Sequence, residues 1–103
     1  MTVMQLLSAL NGQVAIVERH GALDQAVTSV TDDSRAVASG SLFVAVKGER
    51  VDGHRYVEQA IGAGAVAIIG QEGIERASLP FVKVARSRET LGLIGSRFYG
   101  DPS

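Results

Sequence analysis

Two uninterrupted apolar runs, Leu42-Phe43-Val44-Ala45-Val46 and Ala65-Val66-Ala67-Ile68-Ile69, constrain this chain more than any other feature. Each has the length of a strand, and neither shows the polar alternation of a strand with one wet face. Both therefore belong in a sheet covered on both sides. Between them, Val57, Ala60, Ile61 and Gly64 fall on one face of a helix. Strand, helix and second buried strand make a β-α-β unit, whose strands are parallel and whose crossover is right-handed. A chain of 103 residues has room for one core of this kind.

The remaining elements are read around that unit. Val3, Leu6, Leu7 and Leu10 recur at helical spacing, Thr2 and Gln5 form a capping box before them, and Asn11-Gly12 supplies the stop. A short strand is expected over roughly Val14 to Val17, a β-rich stretch over Ala26 to Thr31, and a last strand over Phe81 to Val84 starting at Pro80. The polar segment Gln71 to Ser78 predicts one or two helical turns. Ser87 is expected to N-cap a final helix with Leu91, Ile94 and Phe98 on its apolar face. Gly92 and Gly95 weaken that helix by about 1 kcal/mol each relative to Ala, so it depends on packing. Phe98-Tyr99 reads as packing with a polar handle. Gly100-Asp101-Pro102-Ser103 is turn chemistry and is expected to begin a linker, leaving residues 1–99 as the domain. The expected fold is α/β: one small three-layer domain, with a mostly parallel or mixed sheet of about five strands flanked by helices.

Composition narrows the partners. Ten Lys+Arg against eleven Asp+Glu give a net charge of -1, without the basic excess of a phosphate-backbone binder, so nucleic acid is not an expected partner. The absence of cysteine excludes disulfides, thiolate nucleophiles and thiolate metal sites, as suits the cytoplasm. Gln5, Ser8, Asn11 and Gln13 interrupt the apolar residues of the N-terminus, so neither a signal peptide nor a membrane span is expected. His20 and His54, the only histidines, stand 34 residues apart with no histidine or cysteine nearby to complete a transition-metal set, and no metal site is expected. Gly62-Ala63-Gly64-Ala65-Val66-Ala67 matches G-x-G-x-x-A, but it leads from helix to strand, the reverse of a dinucleotide fingerprint. No G-x-x-x-x-G-K-[ST] phosphate loop occurs.

Two polar loops follow predicted strands: Asp32-Asp33-Ser34-Arg35, and Lys47-Gly48-Glu49-Arg50-Val51-Asp52-Gly53-His54. In open α/β sheets, ligands collect beyond the carboxyl ends of the strands. With parallel strands, Ser34, Arg35 and Arg50 share one edge and offer a hydroxyl and guanidinium forks to a phosphate. Only the ten residues Asp32 to Ser41 connect the strands, which is short for a crossover, and a hairpin would put the loops at opposite ends. Two ordinary surface turns, with Asp33 and Ser34 capping amides, are the plainer alternative. Asp32 and Asp33 do not form a catalytic carboxylate pair, because adjacent extended side chains point to opposite faces.

Read in order, Asp33-Ser34-Arg35, Gly40-x-Leu42-Phe43-Val44-Ala45, Gly48-x-x-x-Asp52-Gly53-His54 and Ala60-Ile61-x-x-Gly64-Ala65 resemble the N-terminal domain of the Mur ligases, ATP-dependent amide-forming enzymes of peptidoglycan assembly. Arg97-Phe98-Tyr99-Gly100-Asp101-Pro102-Ser103 is similar to the stretch that precedes the ATP loop in the branch adding the third residue to UDP-N-acetylmuramoyl-L-alanyl-D-glutamate. The earlier blocks are shared with the D-alanyl-D-alanine-adding branch. The resemblance implies a docking domain for the UDP part of the muramoyl dipeptide, with contacts at Asp32, Ser34 and Arg35 and at Glu49, Arg50 and Val51. It also favours both loops at one edge. Central and C-terminal domains, ATP, magnesium and a carbamylated lysine are implied for the parent enzyme, and this chain alone is expected to hold no catalytic residue, cofactor or metal. A free-standing adaptor that binds no nucleotide is the competing reading from another class.

Overall fold

The computed structural model describes residues 2–10, 13–46, 53–71 and 79–100. Helix α1 (Val3–Ala9) opens the chain with the full capping box: the Thr2 hydroxyl accepts from the Gln5 amide at 3.1 Å, and the Gln5 side chain accepts from the Thr2 amide at 2.8 Å. Strands β1 (Ile16–His20), β2 (Ser29–Thr31), β3 (Ser41–Val44), β4 (Ala67–Gly70) and β5 (Phe81–Val84) form one sheet in the order β1-β5-β4-β3-β2. β2 through β5 are mutually parallel, and β1 lies antiparallel to β5. The sheet is therefore mixed and five-stranded, as expected.

Period-two alternation sorts the sheet's side chains into two cores. Val30, Leu42, Val44, Ala67, Ile69, Val82 and Val84 pack with α1 and with Ile94 of α3 (Ser87–Phe98). On the other face, Phe43, Ala45, Ile68 and Phe81 pack with Val57 and Ala60 of α2 (Val57–Ala63). Every residue of β3 and β4 is buried, which explains why these strands read as continuous apolar runs. The result is three layers, with two helices on one face of the sheet and one on the other.

The parallel pairing of β2 with β3 removes the hairpin alternative. The nine residues Asp32 to Gly40 suffice for the return because β2 has only three residues, about 10 Å of strand to retrace. A single 3-10 turn, Ser34–Ala36, makes the connection.

Other boundaries differ from expectation for identifiable reasons. β1 begins at Ile16 rather than Val14 and runs through Glu18, Arg19 and His20, because an edge strand needs no apolar continuity. In the stretch from Ala26, only Ser29 to Thr31 is strand: Ala26 makes an isolated bridge to Thr2, and the Thr28 amide bonds Gly40 O. β3 ends at Val44, two residues short of the apolar run, and β4 is shifted to Ala67–Gly70. Ser87 is not the cap of α3 but its first residue, with Arg86 before it, because the Ser87 hydroxyl donates instead to Gln71 Oε1 at 2.9 Å. The stop at Asn11-Gly12 and the helical turns expected after Gln71 lie outside the described residues.

Tyr99 is the polar handle its sequence position suggests. Its hydroxyl accepts from the Val30 amide and donates to the Val30 carbonyl, both at 2.9 Å. One hydroxyl thus satisfies both outward groups at the centre of the edge strand β2, which would otherwise be open to pairing with another chain.

Candidate functional site at the carboxyl ends of the parallel strands

Four parallel strands deliver their carboxyl ends to one edge of the sheet, and a cleft of about 610 Å³ lies there. Asp32, Asp33, Ser34 and Arg35 form one wall; Val46, Gly53, Tyr56, Gln59 and Arg88 complete it.

The first wall is shaped by its own hydrogen bonds. After β2, the Thr31 hydroxyl accepts from the Asp33 amide at 3.0 Å and bends the chain. Asp33 then caps the 3-10 turn, its Oδ1 accepting from the Arg35 amide at 2.9 Å. The same carboxylate receives the Arg35 guanidinium, Nε at 3.2 Å on Oδ1 and Nη2 at 3.3 Å on Oδ2. The hydrogen bond from the Arg35 side chain, followed by that from its amide, holds the Asp33 carboxyl below its ordinary pKa; the reciprocal bond to Asp33 raises that of Arg35. Both side chains are largely solvated, so the pair contributes shape more than stability. Ser34 is different. It is 9% exposed, it lines the cleft, and its hydroxyl has no hydrogen-bond partner among the described residues.

The second wall begins where the chain leaves β3. The Ala45 amide still bonds Ile69 O, at 2.7 Å, and after Val46 the chain enters residues 47–52, which lie outside the described residues. Glu49, Arg50 and Val51 are among them. The flanking residues Val46 and Gly53 both line the cleft, and the Gly53 amide donates to Val46 O at 2.8 Å. A Cβ on Gly53 would stand 2.8 Å from Val46 N and 2.9 Å from Val46 O, so the return of this loop onto β3 requires glycine.

Behind the cleft, a hydrogen-bonded chain joins three elements. His54 Nε2 accepts from the Gln71 amide at 2.8 Å, and Gln71 Oε1 accepts from both the amide and the hydroxyl of Ser87, at 3.0 and 2.9 Å. Ser87 is fully buried. The chain ties the 3-10 turn Gly53–Tyr56, which precedes α2, to the end of β4 and the start of α3, and so fixes the backbone beside Arg88.

Asp32, Ser34 and Arg35, singled out in the sequence, line one cleft together with Tyr56, Gln59 and Arg88, which the sequence reading does not pick out. Arg88 was within reach: β5 also ends at this edge, and applying the strand-end rule to all the strands points to the segment after Val84.

A profile of the Mur ligase family, catalytic domain, matches residues 26–99, a span that contains the cleft. The chain belongs to the Mur ligase family. Among curated relatives, the UDP-N-acetylmuramoyl-L-alanyl-D-glutamate--2,6-diaminopimelate ligase of Parabacteroides distasonis is 44% identical over 100% of this chain and 21% of its own length. The ligase of the same name from Bradyrhizobium diazoefficiens is 40% identical over 93% of this chain and 19% of its own. Among solved Mur ligases, MurF from Acinetobacter baumannii superposes with a TM-score of 0.72 at 32% identity, over 89% of this chain and 19% of that one. MurF ligase from Thermotoga maritima, solved in complex with ADP, gives a TM-score of 0.57 at 33% identity, over 68% and 16%. The chain thus spans about a fifth of the length of the curated Mur ligases it matches. Among the described residues, no helix is long and apolar enough to cross a membrane.

Proposed function

We propose that this domain docks the uridine diphosphate part of UDP-N-acetylmuramoyl-L-alanyl-D-glutamate for an ATP-dependent ligase that adds the third peptide residue, diaminopimelate or lysine, in bacterial peptidoglycan synthesis. Asp32, Ser34 and Arg35 contact the nucleotide from the first loop, and Glu49, Arg50 and Val51 from the second. The observation that carries the reading is Ser34, a nearly buried residue whose hydroxyl has no partner among the described residues and which lines a cleft of nucleotide size at the carboxyl edge of the parallel strands.

The remainder of the activity belongs to further domains of a longer, cytoplasmic protein, reached through a linker that starts at Gly100. No residue of this chain is assigned to ATP or magnesium. Its sequence has no phosphate loop, and among the described residues no group of three His, Asp or Glu is placed to hold a metal ion. The D-alanyl-D-alanine-adding branch is the weaker reading, with identities of 32% and 33% to the solved MurF ligases named above against 44% to a curated diaminopimelate ligase.

Titration of the chain with UDP, followed by amide chemical shifts, tests the proposal. Shifts are expected around Asp32 to Arg35, Val46 and Gly53. Ser34→Ala should weaken binding about tenfold, the loss of one hydrogen bond to a charged group. No shifts at millimolar UDP, or shifts confined to the opposite end of the sheet, would refute the docking role.

A further inference from the structure

Arg88 enters the same cleft from α3, an element that none of the resemblance-derived contacts touches. Its setting is poor for stability. In the first turn of a helix a cation faces the positive end of the peptide dipoles. Its neighbour Arg86 is compensated by Glu89, at 3.5 Å, whereas Arg88 makes no ion pair or hydrogen bond with any described residue. Its position is nevertheless fixed, because the adjacent Ser87 is fully buried and held through both its amide and its hydroxyl by Gln71. Across the cleft, Arg35 has Nε and Nη2 committed to Asp33, and Asp32 and Asp33 put two carboxylates on that wall. A diphosphate seated against Ser34 therefore meets net negative charge on one side and needs a free cation on the other.

Building on the docking role above, we propose that Arg88 supplies that cation: it is a binding residue for the diphosphate, distinct from the groups that hold the uridine. The guanidinium presents a fork matched to phosphate oxygens, and the bound anion relieves the unfavourable placement of Arg88 at the helix start.

The test measures affinities of the whole chain for UDP and for uridine, in wild type and in Arg88→Ala, Arg88→Lys and Arg86→Ala. Arg88→Ala should weaken UDP about tenfold and leave uridine unchanged, as expected for one charge-assisted contact. Arg88→Lys should recover part of the loss, keeping the charge but not the fork. Arg86→Ala, with its side chain engaged by Glu89, should bind both ligands as wild type does. Equal UDP affinity in wild type and Arg88→Ala would overturn the assignment of Arg88 while leaving the docking role standing. An equal loss for UDP and uridine would also overturn it, by showing that Arg88 acts on the cleft as a whole. A wild-type chain that binds no UDP would bring down both proposals.

Discussion

The two ends of the parallel strands are built from similar residues to opposite purpose. At the amino end, serine, threonine and glycine bond to one another. Thr28 Oγ1 donates to Ser39 O at 2.9 Å, Ser41 Oγ accepts from the Ala38 amide at 2.9 Å and lies 2.6 Å from Ser29 Oγ, and the Gly40 amide donates to Gly64 O at 3.0 Å. Gly64 ends α2 with a φ of 116° and leaves no room for a side chain, since its Cβ would lie 2.8 Å from Ser39 Cα. At the carboxyl end, by contrast, the Ser34 hydroxyl has no partner among the described residues, and Asp32 and Arg35 are exposed. A network closed on itself gives stability and has nothing left for a ligand, whereas an open one has free groups and contributes little to folding. This contrast in how far each end satisfies its own polar groups supports the carboxyl end as the proposed docking edge.

Substitutions at the amino end should accordingly act on stability. Gly64→Ala combines backbone strain with a clash against the Ser39 main chain, and should cost about 3 kcal/mol in chemical denaturation. A cost below about 1 kcal/mol would mean that this end yields more easily than the geometry implies. Ser41→Ala leaves the Ala38 amide and the Ser29 hydroxyl unpartnered, and should cost about 2 kcal/mol. UDP affinity in Ser41→Ala should stay at the wild-type value, provided the protein remains folded. A matching loss of affinity would show that the two ends are coupled and not separate.

The smallest effect is one of pH. Because the folded-state pKa of Asp33 is depressed, its contribution is present above the unfolded-state value and is lost as pH falls through the folded one, that is, below about pH 4. The Asp33 carboxyl carbon should titrate with a midpoint below that of an ordinary aspartate, and the Arg35 amide should move with it. The amides of Ala38 and Gly40, whose partners do not ionise, should stay still over the same range. Equal movement at both ends would erase the distinction.

Much of this architecture was legible in residue order. The capping box at Thr2 and Gln5 and the strand Phe81–Val84 appear as read, because each is set by contacts within a few residues or by an unambiguous apolar run. Ser87 was misread because its hydroxyl finds a partner 16 residues away, and a local capping rule has no knowledge of Gln71. Arg88 was passed over for a related reason: nothing in its neighbours marks it, and it matters only because β5 ends beside β4 at the edge where the cleft opens. Asp33-Ser34-Arg35 was found because its turn chemistry is local, as the bonds from Asp33 to Arg35 bear out.

Apolar runs, helical spacing and cap residues were enough to specify an α/β domain covered on both faces, since burial and short-range hydrogen bonds depend on residue type and separation alone. Whether β2 and β3 run parallel, and hence whether Ser34 and Gly53 line one cleft, was open until the strands were paired. That choice rests on the packing of α2 against one face and of α1 and α3 against the other, a balance of contacts between residues distant in the chain that no local pattern encodes.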